Sequence, residues 1–353
     1  MTIFQDKFYQ IFDGEIFEKS LYLHHEHALA DLFSSVLELL GYTTTDLARH
    51  VWKRNNTTVV VRLSDDFNYS SENRFGPQDK WFDPGTVVIT DNYVTGQTPY
   101  CVYQLPSSYL GIFSYVPELQ NFIPHRDLHF SVNRIDQTRV LLLLEFLKQS
   151  NGSRYINFNA WDQYATNDTV QDLSNNFLRH WNNIAGQHPH FSDLALITAD
   201  QMPIRNHNMS LEQAQLSAYV NMVIESYTGN NTITFSEKTF RALCTPAPWT
   251  LYACTGAVDY LKKLGFDVLD DLIDHDYNRV AESYSNTTPK IQAFTTASTV
   301  HASKLKTMNL GAVQARCMQA ASHNQKLLAH MRLNWPTDFA NWLPAVVADL
   351  VAR

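Results

Sequence analysis

Between a short β-like run and a proline-rich break the chain reads Ile233-Thr234-Phe235-Ser236-Glu237-Lys238-Thr239-Phe240-Arg241-Ala242-Leu243. An acid and a base stand side by side where strand-like sequence turns into helix-like sequence. Ser236 is a good N-cap residue, because its hydroxyl can accept an amide of the first helical turn. A helix start also favours anions, since its amides point outward and its dipole is positive there. Lys238 would add a point charge, Arg241 a planar fork for phosphate oxygens, and Glu237 an acceptor for ribose hydroxyls. Together these groups suit a bound nucleotide sugar and hence group transfer. The same residues also fit an ordinary helix start with Glu237 and Lys238 solvated.

The elements that must position this stretch are legible from periodicity. Leu29, Leu32, Phe33, Val36, Leu37 and Leu40 share a helical period, and Gly41 stops it. Thr45 to Arg49 reads as the start of another short helix. Thr58–Leu63, Thr86–Asp91 and Tyr100–Leu105 read as strands; continuous apolar runs suit strands covered on both faces, whose ligands bind at the carboxyl edge. A boundary is expected near Pro117 and Pro124. Beyond it, strand 128–133, helix 137–149 and strand 155–158 form a β-α-β pattern long enough for parallel pairing. Val170–Ile184 reads as a helix, 186–212 as loop, Val220–Glu225 and Trp249–Ala253 as strands, and Val258–Leu264 as a helix closed by Gly265. From Pro289 onward the chain reads as helical, over Thr299–Met331 and then Phe339–Val351. Two α/β units followed by helices are therefore expected.

Composition narrows the function classes. The 353 residues are 44% hydrophobic and 18% charged, enough for a sizeable core and unlike a disordered chain. Lys and Arg number 27 against 35 Asp and Glu, so a globally basic nucleic-acid coat is excluded, though not a local basic groove. Lys53, Arg54, Arg62, Arg74 and Lys80 are a modest supply for such a groove. The cysteines, Cys101, Cys244, Cys254 and Cys317, form no C-x-x-C pair; Cys244 and Cys254 could meet across a turn, but reduced thiols are expected. The start shows no leader-like pattern and no apolar run approaches a membrane span, so no membrane partner and a cytoplasmic location are expected, the host cytoplasm if the gene is a phage's. No G-x-x-x-x-G-K-[ST] motif supports a phosphotransferase. His24, His25 and His27 are poorly spaced for one helix face, and the acidic residues Asp270, Asp271, Asp274 and Asp276 read as caps, so no metal site is expected.

Val223-Ile224-Glu225-Ser226, then Phe235 to Leu243, then Pro248-Trp249, resembles the nucleotide-sugar domain of the fucosyltransferase-like glycosyltransferases. The continuation from Tyr260-Leu261-Lys262-Lys263-Leu264-Gly265-Phe266-Asp267 to Leu272-Ile273-Asp274-His275-Asp276-Tyr277-Asn278 is similar to bacteriophage and large-virus members of that set. The matched part runs roughly from 128 to 280; the first third carries no motif of the family. The resemblance implies a GT-B-like α/β fold: two Rossmann-like domains facing a cleft, with C-terminal helices. The acceptor domain would span 1–125 and the nucleotide-sugar domain 126–290, with helices over 291–353 bridging back to the first.

The resemblance also implies roles. A UDP- or GDP-linked sugar would be bound without a metal or other cofactor, by Arg134, Arg139, Glu225, Ser236, Glu237, Lys238 and Arg241. Arg134 would contact the diphosphate, with Arg139 supporting it or packing on the sheet. A surface pair of Arg134 with Asp136 is the alternative. An inverting transfer needs a base to take the acceptor's proton, and Asp66 and Asp91, near strand ends of the first unit, are the candidates; Asp65, next to Asp66, belongs to the same acidic set, and each also fits a cap or turn. Trp249, Tyr252 and Tyr277 could stack on a nucleotide base or pack in the core. The expected activity is sugar transfer to a hydroxyl, with hydroxymethylated pyrimidine in phage DNA as the acceptor considered first. A glycan or protein acceptor, or a non-catalytic binding protein of the same fold, is the alternative.

Overall fold

The β-branched run Thr57–Arg62 and the wholly buried Thr86–Thr90 become neighbouring parallel strands, as fully covered strands should. The computed structural model describes residues 25–46, 51–62, 86–91, 93–94, 101–113, 117–132, 137–149, 154–158, 211–225, 232–281 and 288–353. In chain order the elements are α1 (His25–Leu39), β1 (Thr43–Asp46), β2 (Val51–Arg54), β3 (Thr57–Arg62), β4 (Thr86–Thr90), β5 (Tyr93–Val94), β6 (Cys101–Gln104) and a 3-10 helix (Ser107–Phe113). Then come β7 (Arg126–Val132), α2 (Gln137–Gln149), β8 (Arg154–Phe158), α3 (Leu211–Leu216), β9 (Ala218–Ile224), β10 (Thr232–Ile233), α4 (Glu237–Cys244) and β11 (Trp249–Tyr252). The chain ends with α5 (Ala257–Lys263), a 3-10 turn (Asp276–Arg279), α6 (Thr288–Thr307) and α7 (Leu310–Ala352). The protein is mixed α/β with parallel strands and C-terminal helices.

Packing divides the chain into two compact units. One comprises residues 1–114, 231–234 and 326–353; the other comprises 115–230 and 235–325.

The first unit holds a sheet of order β1-β2-β3-β4-β6. β3, β4 and β6 are parallel, and β1 and β2 extend the sheet antiparallel. Its core joins α1 to the second part of α7: Phe33 meets Phe339 edge-on at 6.2 Å, and Tyr109 meets Trp335 at 5.2 Å. Arg54 closes two helix ends at once. Its guanidinium donates to Leu40 O at 2.7 Å and to Leu350 O and Val351 O at 3.0 Å, and lies over the Tyr42 ring at 4.8 Å. A cation at carbonyl-rich helix C-termini is favourable. Arg54 is thus committed to structure rather than to a phosphate groove. Gly111 lies so close to α7 that a Cβ there would come within 2.3 Å of the Arg332 nitrogen.

The second unit holds a four-stranded sheet of order β11-β9-β7-β8, parallel throughout. The chain leaves β7 towards β8 and returns to β9 on the other side, so strand order reverses between β7 and β9. α6 packs on α2 and across β7, β9 and β11; Thr250 and Ser298 hydroxyls bond at 2.8 Å there. Two buried histidines brace this unit. The amide oxygen of Asn221 accepts from His129 Nδ1 at 3.0 Å, because its own amide nitrogen already donates to Gln215 O and Pro248 O. His275 Nε2 donates to Val268 O at 2.8 Å, leaving Nδ1 to accept from the Tyr277 hydroxyl at 3.1 Å. Tyr277 in turn accepts the Leu251 amide at 2.7 Å.

Several expectations change. Thr45 and Asp46 end a strand instead of opening a helix, because Thr43 and Thr44 pair with Lys53 and Trp52. α3 occupies 211–216, where loop gives way to an apolar segment. The C-terminal helices break at Met308–Asn309, where the Asn309 side chain caps the Ala312 amide at 3.0 Å. α7 then runs unbroken through Pro336 and Pro344. Burial of Trp335, Phe339, Leu343, Val346 and Leu350 on one face outweighs the proline cost of about 3 kcal/mol each. The helix expected over 170–184 lies outside the described residues. All four cysteines are free thiols, and burial raises those of Cys244 and Cys317 to about 12.

Gly111→Ala forces backbone apart and should destabilise the protein by about 3 kcal/mol, read as a lower urea midpoint; an unchanged midpoint would contradict the close approach. Burial lowers His129 and His275 from 6.5 to about 4. Between those values the unfolded chain binds the extra protons, so stability should fall as pH drops from about 6.5 to about 4, by about 1.4 kcal/mol per pH unit for each histidine. Above that window neither histidine should contribute to any pH dependence. Urea unfolding from about pH 7 to about pH 4 tests this, and a flat profile would refute it.

Candidate functional site

The Glu237-Lys238 stretch is placed by β9, α4 and the buried carboxylate between them. β9 is apolar and β-branched enough to be fully covered, and the Glu225 amide prolongs its ladder by donating to Tyr252 O at 2.9 Å. Glu225 therefore stands at the carboxyl end of β9, on the strand flanking the order reversal. Glu225 is only 2% exposed. Oε1 accepts the Ser236 amide at 3.0 Å and the Thr239 hydroxyl, and Oε2 accepts the Ser236 hydroxyl at 2.6 Å. In an ordinary capping box a Glu three residues into the helix accepts the N-cap amide. Here Glu225, at the end of β9, does so, and Thr239 stands at the usual Glu position.

Ser236 is the N-cap of α4, in extended backbone conformation, and its hydroxyl oxygen accepts the Lys238 amide at 3.3 Å. The same oxygen accepts from Lys238 Nζ at 3.2 Å. Lys238 Nζ also lies 3.6 Å from Glu237 Oε1. The Glu237 side chain is 54% exposed and that of Lys238 22%, so both reach the surface at the carboxyl edge. Arg241, one turn further along α4, is half-buried. The helix buries Thr239, Phe240, Leu243 and Cys244.

The other end of α4 is fixed as well. Asn324 Nδ2 donates to Leu243 O and Asp267 O, each at 2.9 Å, and its Oδ1 accepts the Asp267 amide at 2.8 Å. Gln325 donates to Cys244 O at 3.0 Å and Pro117 O at 3.1 Å. Thr239, Asn324 and Gln325 are not marked as site residues by the sequence. The Ser-x-x-Thr spacing hinted at the first, whereas the other two are made neighbours of α4 only by the tertiary fold.

The remaining candidates are dispersed. Arg139 is buried in the first turn of α2, and so is not presented to solvent. Asp91 follows β4 directly and is half-buried, at the carboxyl edge of the first unit's sheet. Arg134, Asp65, Asp66, Arg74 and Lys80 lie outside the described residues. Trp249, Tyr252 and Tyr277 are buried. Of the readings left open for them, core packing is the one seen, and they offer no open face for a base. Protein donors satisfy the acidic segment after α5. Asp270 pairs with Lys262 at 2.7 Å, Asp271 with Arg316 at 2.8 Å and Asp276 with Arg279 at 2.6 Å, while Asp274 accepts the Asp276 amide at 2.9 Å. Arg316 also grips Asp267 with two bonds of 2.8 Å, which holds that carboxyl below its ordinary range against the opposing effect of burial. Among the described residues no group of three or more His, Cys, Asp or Glu is gathered for a metal, and no helix is long and apolar enough to cross a membrane.

No protein-family model and no curated protein matches the chain. A fucosyltransferase-like membership therefore has no family-level match behind it. Among solved structures, the DNA-modifying enzyme β-glucosyltransferase, determined with and without uridine diphosphoglucose, is similar at a TM-score of 0.40. The identity is 10%, over 85% of this chain and 75% of that one.

Asn324→Ala should leave the Asp267 amide and the Leu243 carbonyl without their buried partner. The expected loss is about 2–3 kcal/mol in urea unfolding, and a loss below about 0.5 kcal/mol would show that α4 does not need this clamp.

Proposed function

We propose that this chain is a nucleotide-sugar-dependent glycosyltransferase, with its donor held at the carboxyl end of β9 and the start of α4. One observation carries the reading: the Glu225–Ser236 tie presents an exposed carboxylate and an ammonium, Glu237 and Lys238, at the carboxyl edge of a parallel sheet beside its strand-order reversal. Parallel α/β sheets bind ligands at that position. Glu237 would hold the ribose hydroxyls, and Lys238 the diphosphate as negative charge develops on the leaving group. Arg241, on the same helix, and Arg134, after β7, are proposed as further cations. Arg139 is assigned to packing. Asp91 and Asp66 are the proposed bases for the acceptor hydroxyl, at or after strand ends of the first unit. The acceptor proposed first is a hydroxymethylated pyrimidine in DNA, with glycans or proteins as the alternative.

The test is a thermal-shift panel of UDP, GDP and their sugars. A ligand at a hundred times its Kd stabilises the folded state by about 2.7 kcal/mol, so at least one nucleotide should raise the melting temperature by several degrees. Lys238→Ala should clearly reduce the shift at the same nucleotide concentration without lowering the melting temperature of the unliganded protein. No shift with any nucleotide would overturn the reading. Mass analysis of nucleosides after incubation with plain and hydroxymethylated DNA then decides the acceptor.

A further inference from the structure

The start of α4 carries its own anion. A serine hydroxyl has one proton and two lone pairs. The Ser236 proton is committed to Glu225 Oε2 at 2.6 Å, so its oxygen can only accept from Lys238, whose amide lies at 3.3 Å and whose Nζ lies at 3.2 Å. The Ser236 amide and the Thr239 hydroxyl are directed to the same carboxylate. Resting on the nucleotide-sugar reading, we infer that Glu225 is a positioning residue for the Lys238 ammonium and not a contact to the ligand. By orienting the Ser236 hydroxyl it turns that oxygen's acceptor side to Nζ, which fixes where the ammonium stands. Because the negative charge of Glu225 already occupies part of the helix end, a diphosphate is held by Lys238 rather than by the α4 amides. A glutamine at 225 could donate to Ser236, reverse the hydroxyl and release Nζ.

Two measurements separate this inference from the reading beneath it. The first needs no nucleotide: competitive acetylation of the intact protein, followed by mass spectrometry, reports how accessible each ammonium is. Glu225→Gln and Ser236→Ala should raise the reactivity of Lys238 several-fold relative to Lys263, while Ser236→Thr, which keeps a hydroxyl, should stay at the wild-type rate. Unchanged Lys238 reactivity in both Glu225→Gln and Ser236→Ala would overturn the inference, as would a parallel rise at Lys263, which would signal general loosening. The second is a double-mutant cycle on the Kd of UDP and GDP. Glu225→Gln should weaken the better-bound nucleotide about tenfold beside Lys238 and leave it unchanged beside Lys238→Met. An equal loss in both backgrounds would make Glu225 merely structural. Failure of the wild-type protein to bind either nucleotide would sink the glycosyltransferase reading, leaving the acetylation result to decide the positioning role.

Discussion

A carboxylate withdrawn from water is unstable unless hydrogen-bond donors converge on it. Glu225 meets that condition with the amide and hydroxyl of Ser236 and the hydroxyl of Thr239. The requirement acts in both directions. The buried charge needs the first turn of α4, and that turn cannot drift without exposing the charge. Since the Glu225 backbone is also paired with β11, the start of α4 is registered to the sheet to within a hydrogen bond. Asn324 and Gln325 do the same for the other end of the helix. A helix of only eight residues, too short to be stable alone, is thus held rigidly enough to present Glu237 and Lys238 at a defined place.

The first unit solves a related problem with a cation. Helices α1 and α7 both end with carbonyls that have no partner within the helix, and the Arg54 fork serves Leu40, Leu350 and Val351 together. Tyr42 adds a hydroxyl bond to Leu350 O at 3.1 Å. Where the second unit uses a buried anion at a helix start, the first uses a guanidinium at helix ends. Each device matches the sign of the helix dipole it meets.

Much of this was legible in the sequence, and the limits have physical causes. The apolar runs of β3, β4 and β9 announced themselves because covered strands need no polar alternation. Helix α2 was readable to its ends, and Gly265, with φ 94°, closes α5 as its position suggested. Ser236 was recognisable as a cap because its role is local. Glu225 stands out in the sequence, but its partners do not, since they depend on a fold that brings a strand end to a helix start. Arg54 looked like one of several surface cations, and nothing nearby in sequence marks the distant helix end it serves. Helix is expected over Thr299–Met331 and again over Phe339–Val351, and burial of Trp335 and Phe339 carries α7 through the residues between them, Pro336 included.

The first unit is assembled from residues 1–114 together with 326–353, and its core packs Phe33, Trp52 and Val87 with Trp335, Phe339 and Leu350. During synthesis the ribosome makes the early strands long before it makes the helix that covers them. The second unit is completed by Gln325, partway along α7, before the part of α7 that covers those strands is made. The apolar faces of α1, β3 and β4 must meanwhile wait, at a synthesis rate of about 5–20 residues per second, for well over ten seconds. A nascent chain of this design therefore carries an aggregation hazard in α1, β3 and β4, and relieves it only when the segment bearing Trp335 emerges.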